Sequence, residues 1–116
     1  MKKFLLILFL SLNGFIFSQD RDASFPGGID HLKNIIISKI NLDSLGNNYE
    51  NSIVKLFFTI KKNGKVKEIS CNYDDEKTKA EFLRASQTIN KKWHPAIKNG
   101  KKINSTVIIS FPIVFE

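Results

Sequence analysis

The sequence predicts an α+β fold: a two-layer sandwich in which a three-stranded antiparallel sheet carries two helices on one face. Three observations lead there. Apolar residues recur at helical spacing over residues 28 to 40 and again over residues 74 to 93. Other stretches, "IVKLFFTI", "KVKEISCNY" and "INSTVIISFPIVF", are rich in β-branched and aromatic residues and alternate as strands do. Between the first two of these lies Asn63-Gly64, the strongest short-range signal for a hairpin, and one of type I′, whose turn positions both need positive φ.

Lys2 and Lys3 precede the apolar run "FLLILFLSLNGFIF", and Ser18 offers a small residue for cleavage, so residues 1–18 read as a secretory signal peptide. The run is shorter than the ~20 residues of a comfortable membrane span. An uncleaved inner-membrane anchor is the lesser alternative. The expected location is periplasmic. Residues 19–24, "QDRDAS", read as a flexible tail, and residues 25–116 as one small domain.

In that domain Pro26, Gly27 and Gly28 mark the start of a helix whose buried stripe is Ile29, Leu32, Ile35, Ile36 and Ile40. "NLDSLGNNYENS" collects turn formers without a period and reads as a loop. Val54, Leu56, Phe58 and Ile60 share one face of the first strand, while Ile53 and Phe57 lie on the other, which suggests a central position. In the return strand the step from Val66 to Ile69 breaks alternation, so a bulge or twist is expected there.

The second helix is expected over "DDEKTKAEFLRASQTINKKW", with acidic residues in its first turn and lysines in its last, complementing the helix dipole. Phe82, Ala85, Ile89 and Trp93 share its inner face. Trp93 caps the core from the last turn, and Pro95 ends the helix. After the "KNGKK" turn comes the last strand, with Val107, Ile109 and Phe111 facing one way and Pro112 marking an edge, an end or a bulge. A right-handed crossover through the second helix places this strand on the free side of the first. The first strand becomes the middle of the sheet, with an exposed edge on either side.

The composition excludes several classes of function. The net charge of +7 is an excess of lysine, but the lysines mostly alternate with apolar residues, as on solvated strand faces. For an exported protein this points away from nucleic acid. The single Cys71 reads as a small core residue that cannot form an internal disulfide. His31, His94 and Cys71 lack metal-ligand spacing, so neither metal nor cofactor is expected. No Gly-x-Ser-x-Gly elbow, Cys-His pair or phosphate loop is present, and "DDE" at 74 to 76 suits a helix cap better than a carboxylate site. The protein is not expected to be an enzyme.

Taken in order, "FPGG" opening the first helix, the hairpin "IVKLFFTIKKNGKVKEI", then "AEFLRASQTINKKWHPA", "NGK" and the terminal "FPIVF" resemble the TonB C-terminal domain family. The resemblance covers residues 25 to 116. It carries structural residues Asn63, Gly64, Trp93 and Pro95, and implies the sandwich already described. It also implies a module that binds protein, in the family's case an extended segment of an outer-membrane transporter, by adding it as a strand to a sheet edge.

The edge that fits is the last strand: Thr106, Val107, Ile108, Ile109, Ser110 and Phe111. Lys98, Lys101 and Lys102 would steer an acidic segment toward it. The same edge admits self-pairing into a homodimer. Two departures bear on this role. Energy-transducing members carry a membrane anchor and a long Pro-rich spacer, whereas here "QDRDAS" is all that separates the leader from "FPGG", a reach of only ~20 Å. Family members often carry a Tyr-Pro pair before the first strand, where Tyr49 lacks the Pro. The protein would then be an accessory to TonB-dependent transport. The competing expectation is a secreted basic domain that binds an anionic wall polymer or lipid surface.

Overall fold

A computed structural model describes residues 20–46 and 52–113. The expected signal peptide and Tyr49 lie outside the described residues. Among the described residues no helix is long and apolar enough to cross a membrane.

The chain turns at Phe25–Gly28, where the Gly28 amide donates to the Phe25 carbonyl at 2.8 Å. Pro26 sets the first corner and Gly27, at φ 91°, the second, as a type II turn requires. Helix α1 (Ile29–Lys39) follows and buries Leu32 and Ile36. Ile29, Ile35 and Ile40 pack beside them, completing the expected stripe. Part of the expected loop is a single 3-10 turn, Leu42–Ser44, whose Asn41 side chain accepts from the Asp43 amide.

Strands β1 (Ser52–Ile60) and β2 (Val66–Asn72) pair antiparallel. The register skips between Thr59↔Glu68 and Ile60↔Val66, leaving Lys67 as the extra residue of a bulge at the expected place. The turn differs from expectation. Gly64 has φ 87° but Asn63 does not have positive φ, and the Gly64 amide donates to Lys61 O while the Lys61 amide donates to Lys65 O. This is a three-residue loop closed by a left-handed glycine rather than type I′. The Asn63 side chain accepts from the Lys65 amide at 3.0 Å and holds the turn from within.

Helix α2 (Glu76–Gln87) is capped by Asp75, whose carboxylate accepts from the Thr78 amide at 3.0 Å and the Thr78 hydroxyl at 2.7 Å. It ends well before Trp93 and Pro95, so neither residue has the helical role expected of it. Two effects stop it. The Ser86 and Thr88 hydroxyls donate back to the Phe82 and Ala85 carbonyls, competing with the helical ladder. The Trp93 amide is drawn instead to Gly64 O at 2.8 Å, across the hairpin tip. Trp93 still reaches the core, 4% exposed, with its ring 5.5 Å from those of Phe25 and Phe58.

Two short strands then precede the last long one. β3 (Ala96–Lys98) and β4 (Lys101–Ile103) form a hairpin about Asn99 (φ 53°) and Gly100 (φ 75°). Here both turn positions are left-handed, so type I′ geometry belongs to the second Asn-Gly pair. Asn104 separates β4 from β5 (Ser105–Ile113), and its side chain accepts from the Lys62 amide. The expected single strand is thus divided.

The segment expected to be a flexible tail is held in place. Arg21 exchanges backbone hydrogen bonds with Ile97, and Ser24 with His94. The Asp20 carboxylate accepts from the Asn99 amide, and Ala23 is buried.

The sheet order is β2-β1-β5, with β1 in the middle as expected. Helix α2 lies over β2 and β1, and α1 reaches β5. Val54, Leu56, Phe58, Ile60, Ile109 and Phe111 face this helix layer as the core. The opposite parity of β1 signalled centrality without a second covering layer, for Ile53 remains 51% exposed.

Candidate functional site: the outer edge of β5

β5 pairs with β1 without interruption, from Ser52↔Ile113 to Ile60↔Ser105. Among the described residues no strand pairs with its other side. The six residues expected to form a binding edge are all within it, and alternation divides them. Ile109 and Phe111 are buried and Val107 half-buried, while Thr106 and Ile108 are exposed and Ser110 half-exposed on the open face. Phe111 is fixed from inside by Phe82, ring centroids 5.2 Å apart, with the Lys33 ammonium 5.5 Å from its ring centre. Pro112, opposite Ile53, has no amide to give and shortens the usable ladder toward that end.

Beside the start of β5 is a cleft of about 400 Å³ that sequence reasoning did not anticipate. Ser105, Thr106, Val107 and Ile108 form one side, Ile29 of α1 and Asp22–Ala23 the other. The Ser105 hydroxyl oxygen is buried and has no hydrogen-bond partner, alone in this respect among the described residues. No sequence signal marks this cleft, because it depends on Asp22 and Ala23 being carried alongside β3 by the bridges at Arg21 and Ser24.

Lys98, Lys101 and Lys102 are exposed on the β3–β4 hairpin, joined to the start of β5 through Asn104. Lys98 lies directly opposite Lys101, a like-charge pairing that is unfavourable in isolation. Asp20, bonded to the Asn99 amide, supplies a nearby negative charge.

The other edge has a groove of about 770 Å³ between β2 and the segment after α2, lined by Lys65, Lys67, Glu68, Ile89, Lys91 and Lys92, among others. It was not anticipated either.

Elsewhere, chemistry-bearing groups have structural employment. Glu81 is buried and accepts from Arg84 and from the Asn41 amide at 2.7 Å, which holds its carboxyl down to about 2. Burial pushes the Cys71 thiol up, away from the thiolate a nucleophile needs. His31 and His94 are exposed on separate segments. Among the described residues no three His, Cys, Asp or Glu side chains come together as a metal site would need. Compared with family models, curated proteins and solved structures, the chain matches none of them, and its functional reading must stand on the geometry of these edges.

Proposed function

We propose that this protein is a non-enzymatic recognition module of the TonB C-terminal kind, taking an extended segment of another protein as an added strand on β5. The observation that carries this reading is the uninterrupted nine-residue strand with no described strand on its outer side. Such an edge offers amides and carbonyls at regular spacing, so main-chain bonds supply affinity and alternate side chains supply selectivity. An added strand would set every second side chain toward the helix layer, where the cleft beside Ser105 lies. The ordered resemblance from "FPGG" to "FPIVF" supports the same reading and suggests the partner: a periplasmic segment of an outer-membrane transporter, met by an exported protein that needs no cofactor.

The test is capture of partners from periplasmic and outer-membrane extract by the wild-type protein beside two variants. Ile108→Pro removes an amide from the edge. Thr106→Lys with Ile108→Lys keeps every amide but places charge where an added strand would lie. Partners that are lost with both variants, while circular dichroism and the unfolding midpoint persist, support strand addition. Partners retained by both exclude it.

The lysines around the β2 groove favour a second reading, attachment to an anionic polymer or lipid surface. Binding of that kind ignores changes on β5 and weakens steeply with added salt.

A further inference from the structure

We propose that the end of the molecule bearing the β1–β2 turn and the β3–β4 hairpin docks on the anionic headgroups of a phospholipid membrane; this rests on the electrostatic reading above and is independent of strand addition at β5.

Three turns bring lysines to that end. Lys61, Lys62 and Lys65 lie on the turn between β1 and β2. The Trp93 amide bonds Gly64 O there, so Lys91 and Lys92 come to the same turn. Asn104, which leads β4 into β5, accepts from the Lys62 amide at 2.8 Å, so the hairpin with Lys98, Lys101 and Lys102 springs from that end too. All these lysines are exposed, and none forms an ion pair with a described residue. The carboxylates nearby are Asp20, occupied by the Asn99 amide, and Glu68. Asp74, Asp75 and Glu76 lie instead beyond the other end of β2. Like charges so concentrated repel one another until an anionic partner covers them.

The arrangement favours a plane over a thread. A linear polymer in the groove beside β2 would meet Lys65, Lys67, Lys91 and Lys92 but leave the hairpin lysines without an anion. A flat surface meets all three turns. The cations are all lysines, flexible point charges without the fork for bidentate recognition, which suits laterally mobile phosphates. The point of chain entry agrees. Asp20 accepts from the Asn99 amide, between Lys98 and Lys101. In sequence the apolar run Phe4–Phe17 stops three residues earlier, within ~10 Å of extended chain. An unprocessed chain therefore has its most apolar stretch next to this basic face, the juxtaposition by which polybasic segments meet anionic lipid. β5 starts at this end and runs away from it, so its outer edge stays open to a strand.

Residues 19–116, which retain the whole core, are tested first so that the apolar run does not insert by itself, with circular dichroism as the check on folding. They are sedimented with vesicles of phosphatidylcholine, pure or mixed with phosphatidylglycerol. Binding to the mixed vesicles alone is expected, and it should weaken steeply with salt. Lys91→Gln with Lys92→Gln, and Lys101→Gln with Lys102→Gln, should each lower the partition coefficient by about twentyfold, the product of a roughly fivefold loss per lysine. Lys55→Gln with Lys77→Gln should change it by less than about twofold, because those charges stand more than a Debye length from that end. The full chain, reconstituted in the same vesicles, should show Lys98, Lys101 and Lys102 protected from acetylation relative to Lys55 and Lys77, read by mass spectrometry. Equal labelling, or equal losses from all three pairs, would reduce the effect to net charge and overturn the proposal. Loss confined to the Lys91 and Lys92 pair also overturns docking on a plane; if soluble polyphosphate then binds through that pair, electrostatic attachment stands as a groove for a polymer. Absence of binding to both vesicles and polyphosphate overturns the two together and leaves strand addition untouched.

Discussion

The two edges of the sheet differ in every feature that governs strand pairing. β2 is seven residues long, bulged at Lys67, and flanked by the segment after α2 with Lys91 and Lys92 beside it. β5 is nine residues long and regular throughout, and it carries Ile108 at 57% exposure. Bulges, lysines and covering segments are the usual means of keeping an edge from pairing. β2 has all of them. β5 has only Pro112 near its far end and, across the cleft at its start, the Asp22–Ala23 segment, with neither bulge nor lysine, so exposure here is local and the same small sheet holds every device needed to prevent it.

The covering of β2 depends on the bond from the Trp93 amide to Gly64 O, which brings the segment after α2 back to the hairpin tip. The severest way to break the comparison is Trp93→Ala, which removes the ring packed against Phe25 and Phe58. Loss of about 3–5 kcal/mol is expected in urea unfolding, a large share of a small domain's stability. Gly64→Ala attacks the same junction from the other side. Its Cβ would clash with the Trp93 carbonyl oxygen, at a φ of 87° that L side chains rarely adopt. A cost of about 2 kcal/mol is expected by the same measurement, together with new self-association by analytical ultracentrifugation as β2 is uncovered.

A third change tests the helix layer without touching either edge. The folded pKa of Glu81, about 2, lies below the value of an unfolded glutamate, so its contribution is fully present above about pH 4.5 and is lost as pH falls through 2. The urea midpoint of the wild type should fall over that window, and Glu81→Gln should flatten the fall. A wild-type midpoint that holds across the window would show that this carboxylate is not paired in solution.

The smallest effects sharpen the contrast. Thr106→Lys with Ile108→Lys should alter stability by less than about 0.5 kcal/mol, since both side chains face solvent, while abolishing partner capture. Lys67→Ile adds apolar surface to the bulged edge and should produce no new association by size-exclusion chromatography. Aggregation of that variant would show that charge, rather than the bulge, protects β2.

Much of this was legible in the sequence because it followed from periodicity. The stripe from Ile29 to Ile40, the inward face Val54–Ile60, the bulge after Val66 and the central place of β1 are all read from local spacing. The errors occurred where distant segments compete. Helical spacing carries Ile89 and Trp93 on from Phe82 and Ala85, yet the Trp93 amide bonds Gly64 across the fold and the helix stops at Gln87. Both Asn-Gly pairs look alike in sequence, but one is a three-residue loop and the other type I′, since each is set by the register of its flanking strands. At the candidate site, alternation identified which β5 residues face inward. The cleft could not be foreseen, because Asp22 and Ala23 are placed by backbone bonds that carry no side-chain signature.

Those backbone bonds also have a mechanical meaning. Arg21 exchanges a pair of bonds with Ile97 of β3 and Ser24 a pair with His94 just before it, and Asp20 adds a contact at the Asn99 turn. A load applied along the chain ahead of Asp20, in line with the strand, would be shared by these bonds at once, whereas a sideways load would peel them singly from the Asp20 end. Extension curves recorded along the two directions should differ in rupture force. Because Asp22 and Ala23 form one wall of the cleft beside β5, peeling would dismantle that wall while leaving the β2-β1-β5 sheet paired.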